Sequence, residues 1–128
     1  MAKRILSIVS SAYRATIEEQ DDTIVWLNHA MRGAGAELGL VLAGNAVNYA
    51  VKRQRANGLQ FGDWTQTNPP DLAGDLEKLR DKGVPLYIVD EDLAERGITF
   101  NELISGLKPT GRKELPRLMG EYDLIWQW

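Results

Sequence analysis

The stretch VPLYIVDEDLAERG, residues 84–97, sets a mostly apolar run directly before three acids, Asp90, Glu91 and Asp92. Val84–Val89 is short, follows the turn residue Gly83, and reads as a strand buried on both faces. The acids fall where a helix would begin, and negative charge is favoured there by the helix dipole. Asp92 and Glu95 have capping-box spacing, and Gly97 supplies a stop. Upstream, Asp71 is a helix cap for Leu72–Lys82, which carries Leu72, Leu76 and Leu79 on one side. A helix, a buried strand and a second helix within about thirty residues are the unit of an open α/β sheet.

The same alternation extends in both directions. Near the amino terminus, RILSIVSS holds Ile5, Leu6, Ile8 and Val9 and reads as another doubly buried strand. Thr16 and Glu19 have capping-box spacing, Glu18, Glu19, Asp21 and Asp22 suit a helix start, and Ile24, Leu27 and Met31 form an apolar stripe. A strand over Leu38–Ala43 follows, and Asn45 is then read as the N-cap of a helix over Ala46–Arg55. Residues 59–70, LQFGDWTQTNPP, are the least regular part. Thr99 and Glu102 repeat the capping-box spacing, RKELPRLMGE reads as helical, and YDLIWQW ends the chain as a strand with Leu124, Trp126 and Trp128 on one face. Four strands are legible, and strands separated by helices imply a parallel sheet with helices on both faces.

Composition narrows the class of function. The chain has 128 residues, which favours one domain. Its net charge of −3 lacks the basic footprint of a nucleic-acid binder. The absence of cysteine excludes a disulfide framework, a thiolate metal site and a cysteine nucleophile. The start MAKRILSIVSSAYR has neither the length nor the cleavage site of a signal peptide, and its apolar run is too short to span a bilayer. A cytoplasmic protein without partners among nucleic acids or membranes is expected.

In open α/β sheets ligands gather outside the carboxyl ends of the strands. That rule selects Ser10, Ser11, Tyr13, Asn45 and Asp90 as candidate ligand-binding residues. Ser10, Ser11, Tyr13 and Arg14 could bind a small anion, or form an ordinary polar turn. The amides around Gly44-Asn45 could hold an anion or belong to a satisfied helix start. Asp90–Asp92 could hold a hard cation with a substrate phosphate, but no second acidic cluster is placed to complete the site, and helix capping is the commoner reading. His29 is the lone histidine, one residue off an apolar stripe; it reads as a half-exposed helix residue, with general base as the alternative. GAGAELG follows a helix and precedes a strand, the reverse of a dinucleotide fingerprint. No complete catalytic or metal motif is present, so no catalytic residue, metal ligand or cofactor is assigned. Trp126 and Trp128 are too apolar to leave in water and are candidate interface residues.

The ordered pieces KRILSIVSSAYR, AELGLVLAGNAVNYAV, LEKLRDKGVPLYIVDEDLAERGI and YDLIWQW together resemble the DsrE/DsrF/DsrH-like family over nearly the whole chain. The resemblance implies one domain over residues 1–128, an α/β/α sandwich with a mostly parallel sheet, and oligomers, commonly trimers or hexamers. It also implies kinship with proteins that carry sulfur as a cysteine persulfide in sulfur relays. Counting back from Gly97, the family's carrier cysteine falls at about Val89–Asp90, where this chain has none. A persulfide needs a thiolate, so this chain cannot carry sulfur itself.

The expectation is therefore a three-layer α/β/α sandwich with a mostly parallel sheet of four to five strands. Its function is expected to be non-catalytic: an oligomeric subunit, as a homo-oligomer or beside a cysteine-bearing homologue, or a binder of a small anionic ligand. The alternatives are an enzyme of a small anionic substrate using His29 or Asp90 as base, and a plain interaction module.

Overall fold

The computed structural model describes residues 3–12, 22–54, 58–67 and 69–128. Tyr13, Arg14 and the Thr16–Glu19 capping box lie outside the described residues. Five strands build the main sheet: β1 (Arg4–Val9), β2 (Glu37–Leu42), β5 (Leu86–Val89), β6 (Lys108–Thr110) and β7 (Leu124–Gln127). Their spatial order is β6-β5-β2-β1-β7, and every neighbouring pair is parallel. Two further short strands, β3 (Gln60–Phe61) and β4 (Trp64–Thr65), form an antiparallel hairpin inside the irregular 59–70 segment. Its turn uses Gly62 at φ 57°, a left-handed conformation that glycine adopts without a Cβ clash.

The three central strands divide their side chains between two cores. Val9, Leu38, Leu40, Leu42, Leu86 and Ile88 face a large core shared with α1 (Thr23–Gly33) and α2 (Leu72–Asp81). Leu6, Ile8, Val41 and Val89 face a smaller one, covered by Leu118 of α4 (Leu115–Met119). Helices on both faces of a parallel sheet make the three layers, as expected.

Three local readings are corrected. The α-helix expected over Ala46–Arg55 is a 3₁₀ helix, Gly44–Ala50. Ala46, Val47, Tyr49 and Ala50 are buried, whereas Asn45 and Asn48 are not. That three-residue period suits a 3₁₀ turn, in which side chains at i and i+3 eclipse. Asn45 is not the N-cap, because Ala43 holds that place without a side-chain bond. Asp92 and Glu95 form no capping box; α3 (Asp90–Glu95) already begins at Asp90, directly from the strand, so Asp92 lies inside the helix. The Thr99–Glu102 box does form.

The strand of the main sheet missing from the sequence reading is β6. Lys108-Pro109-Thr110 has no apolar alternation and only its Thr110 is buried. It is an edge strand, where a proline without an N–H is tolerated.

Candidate functional site

All five strands of the sheet run the same way, so their carboxyl ends share one edge. That edge gathers Ser10 and Ser11 after β1, Ala43–Asn45 after β2, Asp90–Asp92 after β5, Gly111 and Arg112 after β6, and Trp128 after β7.

Asp92 is central to the half of this edge built by β2, β5 and β6. It is buried, at 7% exposure, although it is a carboxylate. One oxygen accepts from the Gly44 backbone N–H at 2.7 Å, and the other from the Arg112 guanidinium at 2.6 Å. Burial of a carboxylate is unfavourable unless it is paired and hydrogen-bonded, and Asp92 meets both conditions. Arg112 is also within 3.4 Å of Glu95, and its backbone N–H donates to Glu91 at 2.6 Å. The hydrogen bonds that Arg112 donates to Asp92 and Glu95 push its guanidinium above its ordinary pKa, fixing it as a cation. Arg96, one turn after Asp92, donates to the Asn45 side-chain oxygen at 2.8 and 3.1 Å and to the Asp92 carbonyl at 3.1 Å.

The other half of the edge is tied by backbone. The Trp128 carbonyl accepts from the N–H groups of Ser10 and Ser11, at 2.9 and 3.3 Å, and from the Ser10 hydroxyl at 3.1 Å. The two halves meet at Gly44. A Cβ there would lie 3.0 Å from the Ser10 carbonyl oxygen, and Gly44 has φ +52°. Only glycine allows this approach without strain.

The structure thus places Ser10, Ser11, Asn45 and Asp90 along one edge, while Tyr13 lies outside the described residues. Asn45 binds Arg96, Ser10 binds the exit of β7, and Asp90 is exposed at the first turn of α3. Reading the sequence missed Asp92 as the organising acid, and missed Arg96 and Arg112 altogether. Arg112 was hidden because β6 was hidden. Asp92 had one signal: it precedes Leu93, which is buried, so the helix face it shares turns inward.

A recess of about 560 Å³ opens beside this cluster, lined by Glu91, Gly111, Arg112, Lys113 and Glu114. Two acids face two bases there, so the lining has no net charge. Among the described residues no group of three or more His, Asp or Glu side chains is placed to hold a metal ion. No helix among them is long and apolar enough to cross a membrane.

His29 belongs elsewhere. Its Nε2 donates to the Asp75 carbonyl at 2.9 Å, and its Nδ1 accepts from Lys82 Nζ at 3.3 Å. Burial, with help from nearby lysines, lowers its pKa below the ordinary 6.5. Lys82 stands between α2 and the start of β5, at the amino edge of the sheet. A histidine engaged at both nitrogens there is part of the α1–α2 contact, away from the carboxyl ends of the strands.

Trp126 is partly buried on β7, and Trp128 just beyond it is 36% exposed. Their rings meet edge to face at 6.2 Å. They stand on the outermost strand of the sheet.

A profile of the DsrE/DsrF-like family matches residues 3–126. The fold is similar to that of the ychN protein from E. coli, with a TM-score of 0.73 and 20% identity over 100% of both chains. It is also similar to MTH1491 from Methanobacterium thermoautotrophicum, a protein of unknown function, with a TM-score of 0.62 and 15% identity over 98% of this chain and 99% of that one. At those identities the likeness to the two structures is one of fold. No curated protein matches the sequence.

Proposed function

The chain belongs to the DsrE/DsrF-like family, and from that premise we propose that it is a non-catalytic, oligomeric subunit related to sulfur-relay proteins. The observation that carries this reading is the exit of β5. The family resemblance puts a persulfide-bearing cysteine at about Val89–Asp90, and this chain has no cysteine there or elsewhere in its sequence. A carboxylate oxygen cannot take the place of a thiolate in holding a sulfane sulfur. The groups around that exit support the same reading. Asp92, Arg112, Glu91, Arg96 and Asn45 bond to one another, which stabilises the loops.

The partners that fit are further copies of this chain and a cysteine-bearing homologue that performs the transfer. The finer expectation of a small anionic ligand rests on Ser10, Ser11, Asn45 and Asp90 along one edge. The neutral lining of the recess beside Arg112 adds nothing to it.

The reading is tested by purifying the tagged chain from its own host. The expected result is an assembly of several chain masses that retains a cysteine-bearing family member. A monomer at micromolar concentration, purified without such a companion, would count against it. Asp90→Asn and His29→Ala are expected to leave the assembly and any persulfide transfer through it unchanged; loss of transfer in either would favour an enzyme.

A further inference from the structure

The two edges of the sheet differ in their protection. An unpaired edge strand is a template for another chain, and proteins blunt it with proline, lysine or inward-pointing charge. The β6 edge is only three residues long and contains Lys108 and Pro109, which lacks an N–H. Among the described residues the β7 edge has no such device: Leu124 to Trp128 contains neither a charged residue nor a proline.

The hydrogen-bond phase of β7 is defined. Trp128 N–H donates to the Ile8 carbonyl at 2.9 Å, and the Trp128 carbonyl accepts from Ser10. Backbone groups in a parallel ladder alternate in direction, so Leu124, Trp126 and Trp128 point theirs toward β1, and Ile125 and Gln127 point theirs outward. The side chains have their own phase. Trp126 lies beside Ser7, which bonds Asn28 of α1, so Leu124, Trp126 and Trp128 lean to the α1 side of the sheet. Leu124 and Trp128 are 37% and 36% exposed.

We infer that β7 pairs antiparallel with β7 of a second copy about a two-fold axis through Trp126. This rests on the oligomeric reading above and adds the surface and register. In that register Ile125 of each copy stands opposite Gln127 of the other, and these are the outward-pointing residues. Both pairs are therefore of the hydrogen-bonded kind, and each exchanges two N–H···O bonds. Trp126 then faces its own copy at a non-hydrogen-bonded position, where side chains approach most closely, and Leu124 faces Trp128. An isologous contact requires one patch to complement itself, and a strand whose free backbone groups are symmetric about one residue does so. The two sheets become one, and the uncharged edge is removed from solvent.

The absence of native cysteine makes the test direct. At a non-hydrogen-bonded antiparallel pair the Cα atoms are about 4.5 Å apart, within disulfide range. Trp126→Cys is expected to give a covalent dimer on mild oxidation. Leu124→Cys is expected not to, because four residues of offset separate the two copies of that site by about 13 Å. Ile125→Pro deletes an outward N–H without touching the β1 ladder, and is expected to halve the mass seen by light scattering while circular dichroism stays native. An oligomer that keeps its mass in Ile125→Pro and fails to link through Trp126→Cys overturns the edge pairing and leaves the oligomeric reading standing. Linking through Leu124→Cys instead overturns the register. A monomeric parent chain overturns both readings. The cysteine pair does not depend on the proline variant folding.

Discussion

The Asp92 carboxylate accepts the Gly44 backbone N–H at 2.7 Å and so ties the exit of β5 to the exit of β2. The two residues are 48 positions apart in the chain. The same carboxylate reaches Arg112 after β6, so one acid joins three strand ends. The exit of β5 is thus held by a structural clasp.

Asp92→Ala leaves the Gly44 N–H without its acceptor in a largely buried place. Unfolding free energy is expected to fall by about 2 kcal/mol, the usual cost of an unsatisfied buried group. Asp90→Ala, at an exposed position, is expected to stay within about 0.5 kcal/mol of the parent. Urea midpoints with unchanged slope check both. Equal losses at the two positions would contradict the assignment of Asp92 as the clasp.

Gly39 lies on β2 beneath the Tyr122 ring, and a Cβ there would overlap the phenol oxygen. Arg4 stacks on the same ring at 4.7 Å from its centroid. Gly39→Ala is expected to displace Tyr122 and to cost about 1–3 kcal/mol, the range for overpacking. Adding Tyr122→Ala is expected to recover part of that loss in a double-variant cycle. Strict additivity would show that the two residues do not compete for space.

Burial and the neighbouring Tyr87 push the Tyr122 phenol up to about 12, from an ordinary 10.0. The folded state therefore binds this proton more tightly than the unfolded state. Its contribution to stability is complete below pH 10 and is lost as the pH rises from there toward 12. Chemical unfolding of the parent and of Tyr122→Phe across that window should show a shallower alkaline decline in the variant. Parallel curves would contradict it.

His29 has its folded pKa lowered, so the unfolded chain takes up the proton first as the pH falls. Stability from this residue is complete above 6.5 and declines as the pH drops below it toward the folded value. With one histidine in the chain, an NMR titration reports it without ambiguity. The midpoint is expected below 6.5, and His29→Gln is expected to flatten the mildly acidic limb of the stability curve. A midpoint above 6.5 would place a carboxylate partner where there is a lysine.

The sequence determined the layered fold and where its strands end. Runs such as Ile5–Val9, Leu38–Leu42 and Leu86–Val89 are apolar on both faces, and only a sheet covered on both sides buries them. The lack of cysteine is also a property of composition alone. Local patterning failed where the deciding contact is remote. Asn45 looks like a helix cap but binds Arg96, and Lys108-Pro109-Thr110 looks like a loop but pairs with β5. Local rules separate the three acids poorly, and the one that singled out Asp92, its capping-box spacing with Glu95, gave it the wrong role. Asp92 alone turns inward, because only at that turn of α3 do the Gly44 amide and the Arg112 guanidinium come within reach. Tertiary structure decided which acid organises the strand ends and which strands lie at the edges of the sheet, since both depend on strand order, and strand order is fixed by packing between segments far apart in the chain.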